Sequence, residues 1–213
     1  MKKNKKIITS LCLLLAFLIF TIIIKIVDIQ AIGPNNSEVG LATINKAFHD
    51  FFNYNETFYK ISKILGYLSF LIIALYGVIG LYQLIKRKNI FKVNKNILLL
   101  GAFYVLVLFV YGLFEIIVIN YRPVLEEGVL EASYPSSHTI LSICVCLSSI
   151  IVSNKIFKNK KNTKIFNCIT AILMILIIVT RVLSGVHWLT DIIGAILIST
   201  SLCMLFDYAI NKE

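Results

Sequence analysis

The sequence is poor in charge and in the residue patterns that build disulfide or zinc sites. Charged side chains make up 15% of the 213 residues, hydrophobic ones make up 58%, and proline occurs only three times. A water-soluble domain of this size has no interior large enough for that share of apolar side chains, so a soluble globular protein is excluded. The same composition excludes intrinsic disorder, a collagen-like repeat and a disulfide scaffold.

The five cysteines lie inside apolar runs rather than in polar loops. No CxxC pair and no histidine-rich spacing accompanies them, which argues against a zinc site or a framework of disulfides. We therefore expect buried, free thiols and no metal held by cysteine. These residues are Cys12, Cys144, Cys146, Cys168 and Cys203.

Apolar runs long enough to cross a membrane occur six times. About 20 helical residues cross a hydrocarbon core of about 30 Å. The first run is longer than a signal-peptide core and no A-x-A site follows it, so we expect an uncleaved span. The predicted fold is all-α: a single domain, residues 1–213, forming a polytopic six-helix transmembrane bundle. The predicted spans are Ile7 to Ile24, Ile64 to Ile85, Ile97 to Phe114, Thr139 to Phe157, Ile165 to Thr180, and Trp188 to Phe206.

The distribution of basic residues predicts the orientation of the bundle. The net charge of +10 is concentrated in the amino-terminal tail, in the second connection (86–95) and in the fourth connection (155–164). Basic short loops stay in the cytoplasm, so we expect both termini inside and the acidic first and third connections outside. Topology and anionic inner-leaflet lipid then account for the positive charge, and nucleic acid is not expected as a partner.

The first outer connection contains a stretch with helical periodicity. Polar residues recur every three or four positions from Asn45 to Lys63, and aromatic residues occupy the other faces. This pattern predicts an amphipathic helix on the membrane surface, which anchors the second span or, alternatively, gates lateral entry of a lipid. We expect His49, on the polar stripe, to be solvated.

Ionisable residues beside membrane spans are costly and need a reason. Asp191 follows His187 by four positions, so a helix places them on one face, where the carboxylate fixes one imidazole tautomer and leaves the other nitrogen free. Arg181 precedes this pair and is suited to bidentate binding of an anion. The alternative is a capping pair beside a snorkelling arginine.

Two further segments on the same predicted side carry polar groups. Ser136 and Ser137 follow a proline and precede an apolar run, which predicts a capped helix start with backbone N–H groups available to an anion, and His138 lies within its first turn. Arg122 precedes Pro123, which keeps the arginine extended and free to turn from its own span. Each segment alone is more often an ordinary helix end.

Together, and in this order, Arg-Pro, Pro-Ser-x-His and Arg-x5-His-x3-Asp resemble the motifs of the type 2 phosphatidic acid phosphatase superfamily of membrane phosphatases. The resemblance implies that His187 attacks phosphorus to form a phosphohistidine, that Asp191 orients it, and that His138 protonates the leaving group. It also implies that Arg122, Arg181 and Ser136 hold the phosphoryl oxygens, and that neither a metal nor another cofactor is needed.

Two positions depart from the pattern of this family. The family normally has a lysine seven residues before the arginine of the first motif, where this chain has Glu115. We expect Glu115 to pair with Arg122 or Arg181 and to orient it. Ser137 replaces the usual glycine but keeps the backbone N–H, so we count it with the phosphate-binding residues.

The expected function is hydrolysis of the terminal phosphate of a lipid phosphate or pyrophosphate at the extracytoplasmic face, most simply in a bacterial plasma membrane. Candidate substrates are phosphatidic acid, phosphatidylglycerol phosphate and polyprenyl pyrophosphates such as undecaprenyl pyrophosphate. Lipid-to-lipid phosphoryl transfer and a catalytically impaired lipid-phosphate-binding protein are the alternatives, the latter because of Glu115. A transporter is disfavoured because the polar residues gather at one surface rather than at the bilayer midplane. The oligomeric state stays open.

Overall fold

The computed structural model describes residues 2–212, with the side chains of Lys2 and Lys3 left out. The structure does not describe Met1, Glu213 or the side chains of Lys2 and Lys3. The predicted single domain and basic tail therefore extend slightly beyond the described residues. Helices account for almost all of the regular structure in this range. They are α1 (Lys2–Ile26), α2 (Ala42–Phe52), α3 (Glu56–Arg87), α4 (Lys95–Ile116), α5 (Ser137–Ile156), α6 (Lys160–Leu183) and α7 (Leu189–Ile210).

Six of these helices, all but α2, are long and apolar enough to cross a membrane within the described range. The predicted all-α bundle of six spans is therefore confirmed, and the chain is a multi-pass membrane protein by its architecture. Each helix is longer than the apolar run that predicted it, although α5 ends one residue before the predicted Phe157 and α7 begins one residue after the predicted Trp188. Alternating spans place the connection from α3 to α4, the connection from α5 to α6 and both termini at one end of the bundle.

Helices α5 and α7 form the centre of the bundle. In each, 61% of the membrane-spanning window is buried, against 17–28% in the other four spans. Small hydroxyl residues let these helices approach their neighbours closely. Their hydroxyls donate to carbonyls of their own helix, as Ser142 does to Thr139 (3.1 Å), Ser149 to Cys146 (2.9 Å) and Ser199 to Ala195 (2.6 Å).

Helix α1 packs along α7 and is otherwise turned outward. A reciprocal pair joins them, because the Ser10 hydroxyl donates to the Ser201 carbonyl and the Ser201 hydroxyl donates to the Ser10 carbonyl, both at 2.8 Å. Large apolar side chains such as Leu11, Leu15 and Ile22 are more than half exposed on the other face of α1. Such a face is suited to contact with lipid acyl chains.

The predicted amphipathic helix is present but ends earlier than its periodicity indicated. Helix α2 ends at Phe52 and the second span begins at Glu56, so Lys60 and Lys63 belong to α3. Asn53 leaves the helical region with φ of 51°, and the Asn55 side chain caps α3 by accepting from the Phe58 N–H at 3.1 Å. Asparagine is among the preferred residues for such a cap, which is why the chain breaks here.

Candidate active site

The turn between α6 and α7 carries three of the predicted site residues, all removed from solvent. Arg181 and Asp191 are 0% exposed and His187 is 2% exposed. Arg181 lies in the last turn of α6 and Asp191 in the first turn of α7. Gly185 turns the chain with φ of +64°, and a Cβ there would lie 2.0 Å from the Asn53 carbonyl oxygen, so only glycine fits.

Two neighbours fix the orientation of the His187 imidazole. The Arg181 Nη2 lies 3.0 Å from Nε2, and the Asp191 Oδ2 lies 3.4 Å from Nδ1. A guanidinium only donates, so Nε2 is the unprotonated nitrogen and Nδ1 carries the proton, facing the carboxylate. The lone pair of Nε2 is therefore directed toward the Arg181 guanidinium.

Burial lowers the pKa of His187 well below the ordinary histidine value. The positive charges of Arg181 and Arg122 lower this pKa further, as does His138. Both effects disfavour the protonated imidazolium. His187 is consequently neutral near pH 7, as a nucleophile must be.

Asp191 does more than orient the imidazole. Its Oδ2 accepts from the Trp188 N–H at 2.8 Å, a shorter contact than that to His187, so the carboxylate also caps α7. The Asp191 backbone carbonyl accepts from the Ser136 N–H at 3.1 Å, which ties the start of α7 to the start of α5. Asp191 therefore both caps α7 and contacts the His187 imidazole, so the two roles considered for it from the sequence occur together.

The loop after α4 forms a short hairpin that the sequence analysis missed. Glu126 and Val129 form a β-bridge around Glu127 and Gly128, both with positive φ, as a two-residue hairpin turn requires. The Arg122 N–H donates to the Glu131 carbonyl at 3.0 Å. The Glu127-Gly128 dipeptide is a signal for a turn in the sequence, but it does not indicate which residues pair across the hairpin.

This hairpin places two carboxylates on Arg122, which is 8% exposed. Glu126 pairs with the Arg122 Nη1, and Glu131 lies 3.1 Å from Nη2. The Arg122 Nε is buried and has no hydrogen-bond partner among the described residues. Burial, and then the negative charge of Glu131, raises the pKa of Glu126 above its ordinary value. The guanidinium therefore contacts carboxylates at the positions where it would bind an anionic ligand.

The predicted role of Glu115 as a partner of the arginines is not supported by these contacts. Within residues 2–212, no ion pair joins Glu115 to Arg122 or Arg181, and Glu115 is exposed near Tyr111. The acidic partners of Arg122 are Glu126 and Glu131 instead.

Helix α5 begins at Ser137, as the Pro-Ser-Ser pattern predicted. Ser136 occupies the capping position, but its side chain makes no capping hydrogen bond and instead accepts from the Thr139 hydroxyl at 3.0 Å. The N–H of Ser136 is used by Asp191, so only the N–H groups that follow in the first turn of α5 remain for an anion. His138 lies in this first turn, half-buried.

One face of α3 completes the site, although no motif indicated it. The Ser62 hydroxyl accepts from the Arg181 Nη1 at 3.2 Å, and the Arg181 Cζ lies 5.6 Å from the centre of the Tyr59 ring. A Cβ on Gly66 would lie 3.2 Å from the His138 Cδ2. Spacings of three and four along α3 put these residues on one side of the helix.

The polar stripe of α2 faces the protein rather than solvent. Asn45 is fully buried, donates to the Thr190 hydroxyl at 3.0 Å and accepts from the Thr190 N–H at 3.2 Å. The His49 ring packs edge-on against Trp188 with 5.5 Å between ring centres, and burial lowers the pKa of His49. The expectation that His49 is solvated was therefore wrong. Helix α2 secures the loop that carries His187.

A cavity of about 190 Å³ leads away from His138 between α3, α4 and α5. Most of its lining surface is apolar, and the residues with polar groups that line it are Ser69, Tyr111, Ser137 and His138. Phe70 and Leu108, which also line it, are more than half exposed on the lipid-facing side of the bundle. A hydrocarbon chain entering from the membrane would fit such a cavity.

All of the predicted site residues except Glu115 thus gather around the α6–α7 turn and the start of α5. Residues 117–213 match the family model of the PAP2 superfamily, so the predicted family resemblance is confirmed, and every motif residue but Glu115 lies inside the match. No curated protein matches the sequence. A transmembrane PAP2-type phosphatidylglycerolphosphate phosphatase from Bacillus subtilis has a similar fold, with a TM-score of 0.65 and 20% identity over 96% of each chain.

Proposed function

Because a carboxy-terminal segment of the chain matches the PAP2 superfamily, we propose that the protein is an integral membrane phosphatase acting on a lipid phosphate or lipid pyrophosphate. One observation carries the proposal: the buried chain of contacts from Arg181 to His187 at 3.0 Å and from His187 to Asp191 at 3.4 Å. It supplies a cation, a neutral nucleophile and an orienting carboxylate in one place.

In the first half of the reaction, the lone pair of His187 Nε2 attacks the terminal phosphorus. Arg181 exchanges its contact with Nε2 for the phosphoryl oxygens, where Arg122 and the free N–H groups at the start of α5 also bind. The bond from phosphorus to the leaving oxygen breaks, and His138 gives its proton to that oxygen. The negative charge of the bound phosphate favours the protonated form of His138. Asp191 stabilises the positive charge that develops on His187.

In the second half, a water molecule attacks the phosphorus of the phosphohistidine and gives its proton to His138. The nitrogen–phosphorus bond breaks, its electron pair returns to Nε2, and inorganic phosphate leaves. Hydrolysis becomes phosphoryl transfer if a lipid hydroxyl takes the place of water. Analysis of the products separates the two, since hydrolysis yields free phosphate and transfer yields a phosphorylated acceptor.

We place the site at the extracytoplasmic face of a plasma membrane, with both termini in the cytoplasm. Support comes from charge, because the basic connections 88–94 and 157–159 with their flanking lysines lie at the end of the bundle opposite to the site. The apolar cavity beside His138 supports a lipid substrate delivered from the bilayer.

Purified protein in detergent should release phosphate from such lipids with divalent metal chelated, and His187→Ala should abolish the release. Lys46→Ala is the matched control, because Lys46 lies exposed on α2 and pairs with Asp50. Undiminished release by the His187 variant would refute the nucleophile. Absence of release from every lipid phosphate by the unaltered protein would refute the function.

A further inference from the structure

Lys63 is a cation of the site that none of the motifs includes. Its Nζ lies 3.2 Å from Oε1 of Glu126, whose other carboxylate oxygen pairs with Arg122. The same Nζ lies 5.0 Å from the centre of the Tyr59 ring, beside which the Arg181 guanidinium also lies. The Glu126 carboxylate thus bridges two cations that come from different parts of the chain.

The position of Lys63 along α3 relates it to His138. Gly66 is three residues further on and therefore on the same side of the helix. It approaches the His138 ring so closely that a Cβ would meet it at 3.2 Å. Lys63 consequently lies on the side of the site where His138 protonates the leaving oxygen, whereas Arg181 borders the attacking nitrogen of His187.

A bridging carboxylate marks a place where two cations accept one anion. The Lys63 side of this bridge is partly exposed, with the Lys63 side chain 38% exposed, and an ion pair at such a surface is weak, so another anion can displace Glu126 from Lys63. A phosphate group offers three oxygens to the same two cations. In a lipid pyrophosphate, the phosphate on the leaving-group side is the one that stays attached to the lipid after the terminal phosphate is removed.

We propose that Lys63, beside the Arg122 that binds the terminal phosphoryl group, forms a second anion site that binds a phosphate in the leaving group, so that lipid pyrophosphates are preferred to phosphatidic acid. The inference rests on the proposed function, because the leaving-group side is defined by the role of His138. Phosphatidic acid leaves a neutral diacylglycerol and gains nothing from this site. A lipid pyrophosphate leaves a lipid monophosphate, whose charge Lys63 stabilises.

The test compares kcat/KM for a polyprenyl pyrophosphate and for phosphatidic acid in the unaltered protein and in Lys63→Gln. Loss of one charge-assisted contact should reduce the pyrophosphate value about 20-fold and the phosphatidic acid value less than threefold. Lys60→Gln is the matched control, since Lys60 is exposed on the same helix and pairs with Glu56. Lys63→Arg, which keeps the charge, should restore most of the preference.

Glu126→Gln distinguishes binding from support of the hairpin. It breaks the bridge to Lys63 but leaves the lysine in place, so it should keep or increase the preference for pyrophosphate. If Glu126→Gln lowers kcat/KM for the pyrophosphate as much as Lys63→Gln does, Lys63 only supports the hairpin and the proposal is wrong. Equal losses on both substrates in Lys63→Gln, or no loss on either, would also overturn it.

Binding measured without turnover separates this inference from the proposed function. Calorimetry in detergent should show inorganic pyrophosphate binding more tightly than inorganic phosphate, and Lys63→Gln should remove that difference. A protein that releases no phosphate from any lipid but shows this Lys63-dependent difference contradicts the function and supports the anion site. An active protein in which Lys63→Gln binds pyrophosphate as tightly as before contradicts the anion site alone.

Discussion

The turn that carries His187 and the hairpin that carries Arg122 border the same site but are held in different ways. His187 and Asp191 are at most 2% exposed, and α2, α3 and α5 all hydrogen-bond to residues of their turn and its flanks. The carboxylates of Glu126 and Glu131 are 18% and 41% exposed and are held by ion pairs. The comparison separates a fixed part, suited to chemistry, from an exchangeable part, suited to binding.

The free energies support this division. Leaving a buried donor or acceptor of the His187 turn without its partner costs about 1–3 kcal/mol, and more for a charged group. The ion pair of Glu131, whose carboxylate is 41% exposed, contributes about 0–1 kcal/mol. The turn therefore holds His187 and Asp191 in place when the proposed substrate enters, while Arg181 transfers its contact from His187 to the phosphoryl oxygens. On the proposed function, phosphoryl oxygens replace the carboxylates on Arg122 without unfolding the loop, because backbone hydrogen bonds hold the hairpin. Variants in the fixed part should reduce kcat, and variants in the exchangeable part should change KM.

The largest effect is expected at Asp191, in the fixed part. Asp191→Asn keeps the size of the side chain but removes the charge that stabilises the imidazolium of His187, so kcat should fall about 1000-fold. Asp207→Asn is a matched control, because Asp207 pairs with Lys6 at the other end of α7. Steady-state phosphate release measures both variants. If kcat falls less than tenfold in Asp191→Asn, the carboxylate does not stabilise the His187 imidazolium as proposed.

Arg181 is expected to show the next largest effect. Arg181→Lys keeps a positive charge but loses the fork that reaches His187 through Nη2 and Ser62 through Nη1, so kcat should fall about 100-fold. Kinetic measurements at saturating substrate isolate kcat from binding. An unchanged kcat with an increased KM would assign Arg181 to the exchangeable part instead.

A substitution at Gly66 tests the contact between α3 and the His138 ring. Gly66→Ala adds a Cβ that meets the His138 ring at 3.2 Å, so the ring must shift and kcat should fall about tenfold. Gly77→Ala is the matched control on the same helix, because a Cβ there meets nothing within 4 Å. Equal activities of the two variants would show that the position of His138 does not depend on α3.

The smallest effect is expected at Glu131, in the exchangeable part. Glu131→Gln removes one carboxylate that competes with substrate for Arg122, so KM should fall about threefold while kcat stays unchanged. Glu38→Gln serves as a control for the loss of a negative charge elsewhere in the acidic connections. A change in kcat, or a higher KM, would mean that Glu131 positions Arg122 rather than competing for it.

The bundle was predictable because backbone groups in hydrocarbon must be satisfied within helices, so long uncharged runs determine the spans. The motif residues were predictable because spacing within one helix, as for His187 and Asp191, fixes which side chains share a face. Contacts between segments were not predictable in this way. The rotation of α3 that brings Lys63 and Gly66 to the site, and the burial of His49 against Trp188, depend on packing between distant parts of the chain.

The hairpin shows the same limit more clearly. Its turn residues are visible in the sequence, but the register that puts Glu126 and Glu131 on Arg122 follows from the pairing of Tyr121 with Ala132. Without that register, Glu115 was the acidic residue expected to pair with an arginine. A one-residue change in register turns each side chain to the opposite face, so the partner of a given residue cannot be inferred from proximity in sequence.

The central claim of the proposed mechanism is that the imidazole of His187 receives the phosphoryl group. The most direct test is to mix the protein with a lipid phosphate labelled with ³²P in the terminal phosphate, to quench within milliseconds in alkali, and to locate the label by peptide mapping. We predict an alkali-stable, acid-labile phosphohistidine on the peptide containing His187, absent from His187→Ala. Label on a different residue, or the same labelling in His187→Ala, would contradict the account.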